Sequence, residues 1–233
     1  MDLSSLFGQL LSGLTTAMFL FLIASGLSLV FGVMRVLNFA HGSFYMIGAY
    51  LAWQMVHWLT PAFGSFWLAV LAAALGVALL GAAIERLLLR FLYGREELYQ
   101  LLFTYALVLI LGDAVKATWG TQQLSVSRPP VLAWSIDILG TTLPAYNLFI
   151  ILIGPIIAIT VWFALTRSTA GRMVRAAALD REMLGALGAN VGFIYTGMFI
   201  ASSFLAGLAG ALVTPIQSVV PTVVRTPDDA NPA

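Results

Sequence analysis

Six long apolar stretches follow one another along the chain, and short polar segments separate them. An α-helix needs about 20 apolar residues to cross the ~30 Å hydrocarbon core of a bilayer. Stretches of sufficient length lie at about residues 6–34, 38–58, 62–84, 98–118, 146–166 and 192–213. The pattern predicts an all-α fold, a polytopic transmembrane helical bundle with about six spanning helices.

The second stretch is less apolar than the others, because Asn38, His41, Gly42 and Ser43 crowd its start. Polar side chains inside a membrane are costly and need partners. One interpretation is a cavity lining or a structural joint, with a broken or re-entrant helix covered by protein. The other is an interfacial cap, with Asn38 capping the helix and His41 at headgroup depth. The residues themselves leave both open.

Composition places the whole chain in a membrane. Of its 233 residues, 61% are hydrophobic and only 9% are charged, whereas a soluble domain has about 25% charged residues. The net charge of +1 gives no reason to expect nucleic acid or an acidic substrate. The absence of cysteine excludes disulfides, thiolate metal sites and cysteine nucleophiles.

Basic residues are distributed unequally between the two ends of the predicted helices. Short cytoplasmic loops of membrane proteins carry an excess of Lys and Arg. One side would hold Arg35, Arg86, Arg90, Arg95, Arg167, Arg172, Arg175 and Arg181, and the other Lys116, Arg128 and Arg225. We therefore expect the N-terminus outside and the segment 167–190 in the cytoplasm.

Two patterns describe how the helices are connected and packed. The outer segment 119–145 contains Pro129-Pro130 and several β-branched residues, which favour an extended loop or short hairpin. Small residues four positions apart let helix backbones approach closely in lipid. Such pairs are Ser28 and Gly32, Ala72 and Gly76, Ser203 and Gly207, and Ala206 and Gly210.

The sequence offers no convincing arrangement of catalytic residues. His41 and Ser43 are two residues apart, so on a helix they point in different directions and cannot form a nucleophile–base pair. No GxxxxGK[ST] phosphate-binding loop occurs, so the chain does not hydrolyse ATP itself. Metal ligands do not cluster. These observations argue against a membrane enzyme.

Two groups of charges lie at helix ends. Asp113 and Lys116 share a helix face, so they either neutralise each other at the headgroup boundary or present a charge to a pathway. Glu85 and Arg86, with Arg95–Glu97, bracket the loop after the third stretch. A solvated turn is the expected structure there.

The segment 167–190, RSTAGRMVRAAALDREMLGALGAN, is basic and rich in alanine and glycine. It keeps small apolar residues at helical spacing between two spanning stretches. Such a helix offers a surface to another protein, with Ala176, Leu184 and Leu187 as an apolar ridge. The alternative is an amphipathic helix that lies on the membrane surface.

Three blocks carry a family resemblance. FGVMRVLNFAHGSFYMIGAY at 31–50, YALVLILGDAVKATWG at 105–120 and GRMVRAAALDREMLGALGANVGFIYTGMFIASSFLAGLAGALVTP at 171–215 occur in this order. They resemble the permease subunits of branched-chain amino acid ABC transporters. The resemblance extends from about residue 6 to residue 222, and its first and last blocks are long.

The resemblance implies a permease subunit without a cofactor in a bacterial inner membrane. Its partners would be ATPase subunits, a second permease subunit and a periplasmic or extracellular substrate-binding protein. The segment 167–190 would be a cytoplasmic coupling helix that docks on the ATPase. The residues matching the family's docking loop are Gly171, Arg175, Ala176, Ala178, Asp180, Ala186, Leu187 and Gly188.

The resemblance also gives roles to the polar residues and a domain organisation. Asn38, His41, Gly42 and Ser43 become candidates for a pathway lining or structural joint, and Asp113 and Lys116 for outer-pathway charges. Residues 1–222 would form the permease domain and 223–233 a disordered polar tail, in a C-terminally shortened member. Competing hypotheses are a urea or short-chain amide ABC permease and a standalone channel or secondary carrier with its site at a broken helix.

Overall fold

The computed structural model describes residues 3–34, 38–63, 65–138 and 141–219. These residues form eight α-helices, two short 3-10 turns and one β-hairpin. The helices are α1 (Leu3–Met34), α2 (His41–Phe63), α3 (Phe66–Leu87), α4 (Glu97–Trp119), α5 (Ala145–Arg167), α6 (Thr169–Leu179), α7 (Arg181–Ala186) and α8 (Val191–Val213). The predicted all-α class is confirmed. Arg35, Arg225 and the tail 223–233 lie outside the described residues.

Five of the described helices are long and apolar enough to cross a membrane: α1, α3, α4, α5 and α8. The remaining predicted span, the second along the chain, is α2, whose 23 residues extend for about 34 Å. Its composition is less apolar because much of the helix is buried by protein rather than exposed to lipid. It continues without a break from His41 to Phe63, so the described part of the chain has no re-entrant helix there.

The central element of the bundle is α8, which packs on α1, α2 and α3. It approaches α2 and α3 at glycines. A Cβ on Gly207 would lie 2.7 Å from the Cβ of Val77 in α3, and one on Gly210 would overlap the Tyr45 carbonyl oxygen in α2. The α8 and α2 backbones are therefore in direct contact, and α3 meets the α8 backbone through the Val77 side chain. Small residues allow such close approach of helices in lipid.

The predicted small-residue pairs have different outcomes. Both pairs in α8 lie in its packed core, where Ser203, Ala206, Gly207 and Gly210 are buried. In α1, Ser28 and Gly32 are exposed, and the described chain places nothing within 4 Å of a Cβ on Gly32. That pair does not form a contact among the described residues.

The outer helices α4 and α5 are less buried than α8. A row of large apolar side chains on α5, including Ile156, Ile159 and Trp162, is exposed and suits contact with lipid. Its first turn is fixed to the bundle by the buried Tyr146 hydroxyl, which donates to the Leu212 carbonyl at 2.8 Å. The periphery is thus apolar, and the polar groups of the bundle lie nearer its centre.

One end of the bundle is closed by the segment after α4. Strand β1 (Ser135–Ile138) pairs antiparallel with β2 (Thr141–Pro144), which confirms the predicted hairpin. Leu124 forms a bridge with Val219, so the chain that follows α8 meets the chain that follows α4. The opposite end carries the 3-10 turn Leu89–Leu92 and helices α6 and α7.

The glycine contact in α8 gives a stability prediction. We expect Gly210→Ala to lower the free energy of unfolding by about 1–3 kcal/mol, because the new Cβ meets backbone that cannot rotate away. The matched control is Gly197→Ala in the same helix, where an added Cβ meets nothing within 4 Å. Thermal unfolding of the two variants in detergent is the measurement. Equal melting temperatures would contradict the expected backbone contact.

Candidate functional site

The connection between α5 and α8 forms two helices, α6 and α7, instead of the single coupling helix that the sequence suggested. Ser168 caps α6 by accepting from the Gly171 amide at 2.9 Å. Asp180 caps α7 by accepting from the amides of Glu182 at 3.0 Å and Met183 at 2.9 Å. A capping residue has extended rather than helical backbone, so the chain bends at Asp180.

Two predicted docking glycines have structural roles. Gly188 follows α7 with φ of 87°, a left-handed conformation that glycine adopts without steric cost. Gly171 is buried where α6 turns back on α5, and a Cβ there would overlap the carbonyl oxygens of Ala164 and Leu165. Both glycines shape the segment; Gly171 is buried and Gly188 is exposed.

The bend at Asp180 changes which apolar residues are exposed. Leu184 is half-buried and packs against the core, and Ala176 is only partly exposed, so of the predicted ridge only Leu187 is fully exposed. The most exposed apolar side chains of the segment are Leu179 (85% exposed), Met183 (60%) and Leu187 (77%). Met183 and Leu187 are four residues apart along α7 and its C-cap and so share a side of that helix, whereas Leu179 is the last residue of α6, before the bend.

Exposed arginines accompany these apolar side chains. We use the name α6–α7 surface for Leu179, Met183 and Leu187 together with the exposed Arg172, Arg175 and Arg181. Of the other predicted docking residues, Ala186 is exposed and Ala178 is partly exposed. The surface combines exposed apolar side chains with arginines and with the exposed acidic Asp180 and Glu182. Apolar patches with a polar rim are typical of protein or membrane interaction sites.

The opposite side of α6 is part of the protein core. Val174 and Ala177 are buried in one cluster with Ile194 and Tyr195 of α8. The α6–α7 surface is therefore packed against the first turns of the central helix. A displacement of the surface would act directly on α8.

The polar residues at the start of α2 form a buried joint between three helices. The His41 Nε2 atom donates to the Ile23 carbonyl of α1 at 3.0 Å, and its ring lies beside Ser202 of α8. The Ser202 hydroxyl donates to the Gly26 carbonyl at 2.7 Å. His41 is 3% exposed, so its ring is buried among protein side chains.

The neighbours of His41 divide between the interior and the exterior. Asn38 and Ser43 are buried, and the Asn38 side chain accepts from the Ala40 amide at 3.1 Å, whereas Gly42 is exposed. None of these residues lines either of the two cavities described below. Their role in a pathway stays a prediction.

Glu85 overturns the expectation of a solvated turn after α3. Its side chain is 1% exposed. The Tyr93 hydroxyl donates to it at 2.9 Å, and the Thr196 hydroxyl of α8 donates to its other oxygen at 2.7 Å. Burial and the adjacent Glu85 carboxylate raise the pKa of Tyr93, so its hydroxyl stays protonated and able to donate.

Asp113 and Lys116 form the pair that their spacing predicted, with 3.1 Å between carboxylate and ammonium. The Asp113 side chain is 77% exposed and the Lys116 side chain 29%. Asp113 lies six residues before Trp119, about 9 Å from the end of the helix. A charge exposed at that depth is unfavourable in lipid, so this face of α4 requires water or another protein.

Two cavities lie near the α6–α7 end. One of about 390 Å³ is polar and separates residues 177–182 from Gly94, Arg95 and Gln100. The other, of about 600 Å³, is apolar and lies between α5, α6 and α8. Within the described ranges, no group of three or more His, Cys, Asp or Glu residues could hold a metal ion.

The sequence has relatives over most of its length. LivH of Salmonella typhimurium, named a high-affinity branched-chain amino acid transport system permease protein, is 28% identical over 226 residues, covering 91% of this chain and 71% of the relative. BraD of Pseudomonas aeruginosa, with the same description, is 29% identical over 215 residues and covers 88% and 69%. LivH of Escherichia coli K12 is 27% identical over 226 residues, covering 91% and 71%. No solved structure matches the chain.

A family match covers residues 9–227, and so includes the buried joint, Glu85, the Asp113–Lys116 pair and the α6–α7 surface. The five apolar helices agree with a family of integral membrane proteins. The chain belongs to the family of permease components of branched-chain amino acid transport systems.

Proposed function

We propose that the chain is the membrane-spanning permease subunit of an ABC importer that takes up branched-chain amino acids. Separate ATPase subunits supply the energy. The observation that carries this proposal is the α6–α7 surface, an exposed apolar and basic patch fixed to the central helix of a membrane bundle. A standalone carrier has no need of such a surface.

The α6–α7 surface suits an ATPase partner in both shape and chemistry. Leu179 and Leu187 are almost fully exposed, and their burial in a cleft would stabilise a complex by about 1.5–3 kcal/mol each. The surrounding arginines would fix the orientation by pairing with acidic groups. Movement of the ATPase subunits would then displace α6, α7 and the attached end of α8.

The orientation follows from the described arginines. Arg86, Arg90, Arg95 and the arginines of segment 167–190 lie at the same end of the helices, whereas Arg128 lies at the other end. The arginine-rich end belongs in the cytoplasm. The hairpin end would then face the binding protein, and the N-terminus would be outside.

The substrate assignment rests on the relatives, which are named for branched-chain amino acids. Asp113 and Lys116 present both charges near the outer end of α4, where a zwitterionic amino acid would arrive. We place them in the outer pathway on this ground. A urea or amide permease would have less use for charges there, since its substrate carries none.

The first prediction from the proposed function concerns docking. Leu187→Asp should reduce the recovery of co-expressed ATPase subunits by about tenfold or more, because a carboxylate replaces an apolar contact. The matched control is Val131→Asp in the hairpin-end loop, an exposed apolar residue of similar exposure (73% against 77%). Pull-down from detergent-solubilised membranes measures both. Equal recovery from the two variants would exclude this surface as the docking site.

The second prediction concerns orientation. Because the chain has no cysteine, Leu187→Cys and Val131→Cys each introduce a single thiol. A membrane-impermeant maleimide should label Val131→Cys in spheroplasts and Leu187→Cys only after permeabilisation. The reverse labelling would place the α6–α7 surface outside and would contradict the proposal.

The third prediction concerns the charges of α4. Asp113→Asn should lower leucine uptake by about tenfold, if the charge contributes roughly 1.4 kcal/mol to the rate-limiting barrier. Exchanging the two residues (Asp113→Lys with Lys116→Asp) keeps the ion pair but reverses the positions of its charges. The exchanged variant should insert normally and still transport poorly. Wild-type uptake by the exchanged variant would mean that Asp113 and Lys116 only neutralise each other and do not act on the substrate.

A further inference from the structure

Glu85 is a buried carboxylate held by hydroxyl groups instead of a cation. Both of its oxygens accept hydrogen bonds, one from Tyr93 and one from Thr196. Among the described residues, Asp113 and Lys116 form the only ion pair, so Glu85 has no basic partner there. Burial of a carboxylate without a cation is costly, and an apolar residue would fill the same space without that cost.

The two hydroxyl partners come from separate parts of the chain. Glu85 lies in the last turn of α3, and Thr196 lies in the second turn of α8, 111 residues later. Tyr93 belongs to the loop between α3 and α4. Three elements that meet at the arginine-rich end are thus joined through one side chain.

The joined elements adjoin the α6–α7 surface. The Tyr93 ring packs edge-to-face on Tyr195 with centroids 5.4 Å apart. Tyr195 is in the same buried cluster as Val174 and Ala177 of α6, and it lines the polar cavity opposite Asp180. A displacement of α6 would therefore act on Tyr195 and, through it, on the neighbouring Thr196.

The loop itself is tied to α4. The Gln100 side chain donates to the Leu92 carbonyl at 3.2 Å and to the Arg95 carbonyl at 3.3 Å. Tyr93 lies between these two residues, so its position is fixed from both sides. Glu85 is consequently bonded to an element that cannot move independently of α4.

We propose that Glu85 is a positioning residue that makes α3, the 88–96 loop and the first turns of α8 move together when the α6–α7 surface is displaced. The proposal rests on the proposed function, since the displacement comes from ATPase subunits. With both hydrogen bonds present, movement of α8 carries α3 with it. Without them, the surface follows the ATPase while α3 lags behind, and ATP hydrolysis proceeds with less transport.

The test measures leucine transported per ATP hydrolysed in proteoliposomes that contain the permease with its ATPase and binding-protein partners. Thr196→Val removes the hydroxyl that bonds Glu85, together with its longer contact of 3.0 Å to the Gly192 carbonyl in the same helix, and nearly preserves side-chain shape. We expect this ratio to fall about fivefold, the equivalent of one hydrogen bond, with ATPase binding unchanged. Tyr93→Phe should give a similar loss. Glu85→Gln should retain more of the ratio than Glu85→Leu, because an amide can still bond both hydroxyl groups.

Thr214→Val is the matched control. Thr214 is another buried threonine, at the end of α8, and its hydroxyl donates to the Ala211 carbonyl at 2.9 Å without contact with Glu85. We expect it to lower thermal stability but to leave the ratio unchanged. A purely structural Glu85 would make Thr196→Val behave like this control, and that result would overturn the proposal.

Failure of the proposed function has a different signature. A wild-type chain that retains no ATPase subunit in pull-down would overturn the function, and the role of Glu85 with it. A wild-type complex that transports leucine at the same ratio as Thr196→Val and Tyr93→Phe would overturn the role of Glu85 alone. If Glu85→Leu does not fold, Thr196→Val and Tyr93→Phe still test whether the hydrogen bonds of Glu85 couple ATP hydrolysis to transport.

Discussion

The close packing of α8 on α2 and α3 is the constraint on which the other features depend. At Gly207 and Gly210 the α8 backbone lies against the α2 backbone at Gly48 and Tyr45, and Gly207 also receives the Val77 side chain of α3, so the helices have little room to shift. The same helix connects the two ends of the bundle. One end holds α6 and the Glu85 cluster, and the other leads to the bridge between Leu124 and Val219.

Central packing also explains where the polar residues lie. His41, Thr196 and Ser202 are buried among helices that supply hydrogen-bond partners, so the bundle interior tolerates them. The exposed side of α5 faces lipid and is accordingly apolar. Hydropathy is accordingly highest in the exposed α5 and lower in the central α8, although both are apolar enough to span a membrane. The helix α2, which is more polar than the five apolar spans, packs against the central helix α8.

Sequence patterns predicted the spans, the hairpin and the location of the α6–α7 segment, because each depends on local composition. Two of the three residues of the predicted apolar ridge are not fully exposed, because the prediction continued the helical spacing through Asp180, where a new cap begins and the direction changes. The sequence predicted a solvated turn at Glu85 because the next residue is the charged Arg86. Its actual partner, Thr196, is distant in sequence, and no local pattern indicates a contact between them.

The bundle combines a stiff central helix with a more compliant outer one. The helix α8 extends for about 34 Å without proline, so it can transmit a displacement along its length. Pro155 interrupts the hydrogen-bond ladder of α5 and permits bending there. Because α6 is joined covalently to α5 and packed on α8, a force on the α6–α7 surface acts on both helices. The stiff helix would move as a unit, and bending at Pro155 would accommodate that movement without breaking the contact of Tyr146 with Leu212.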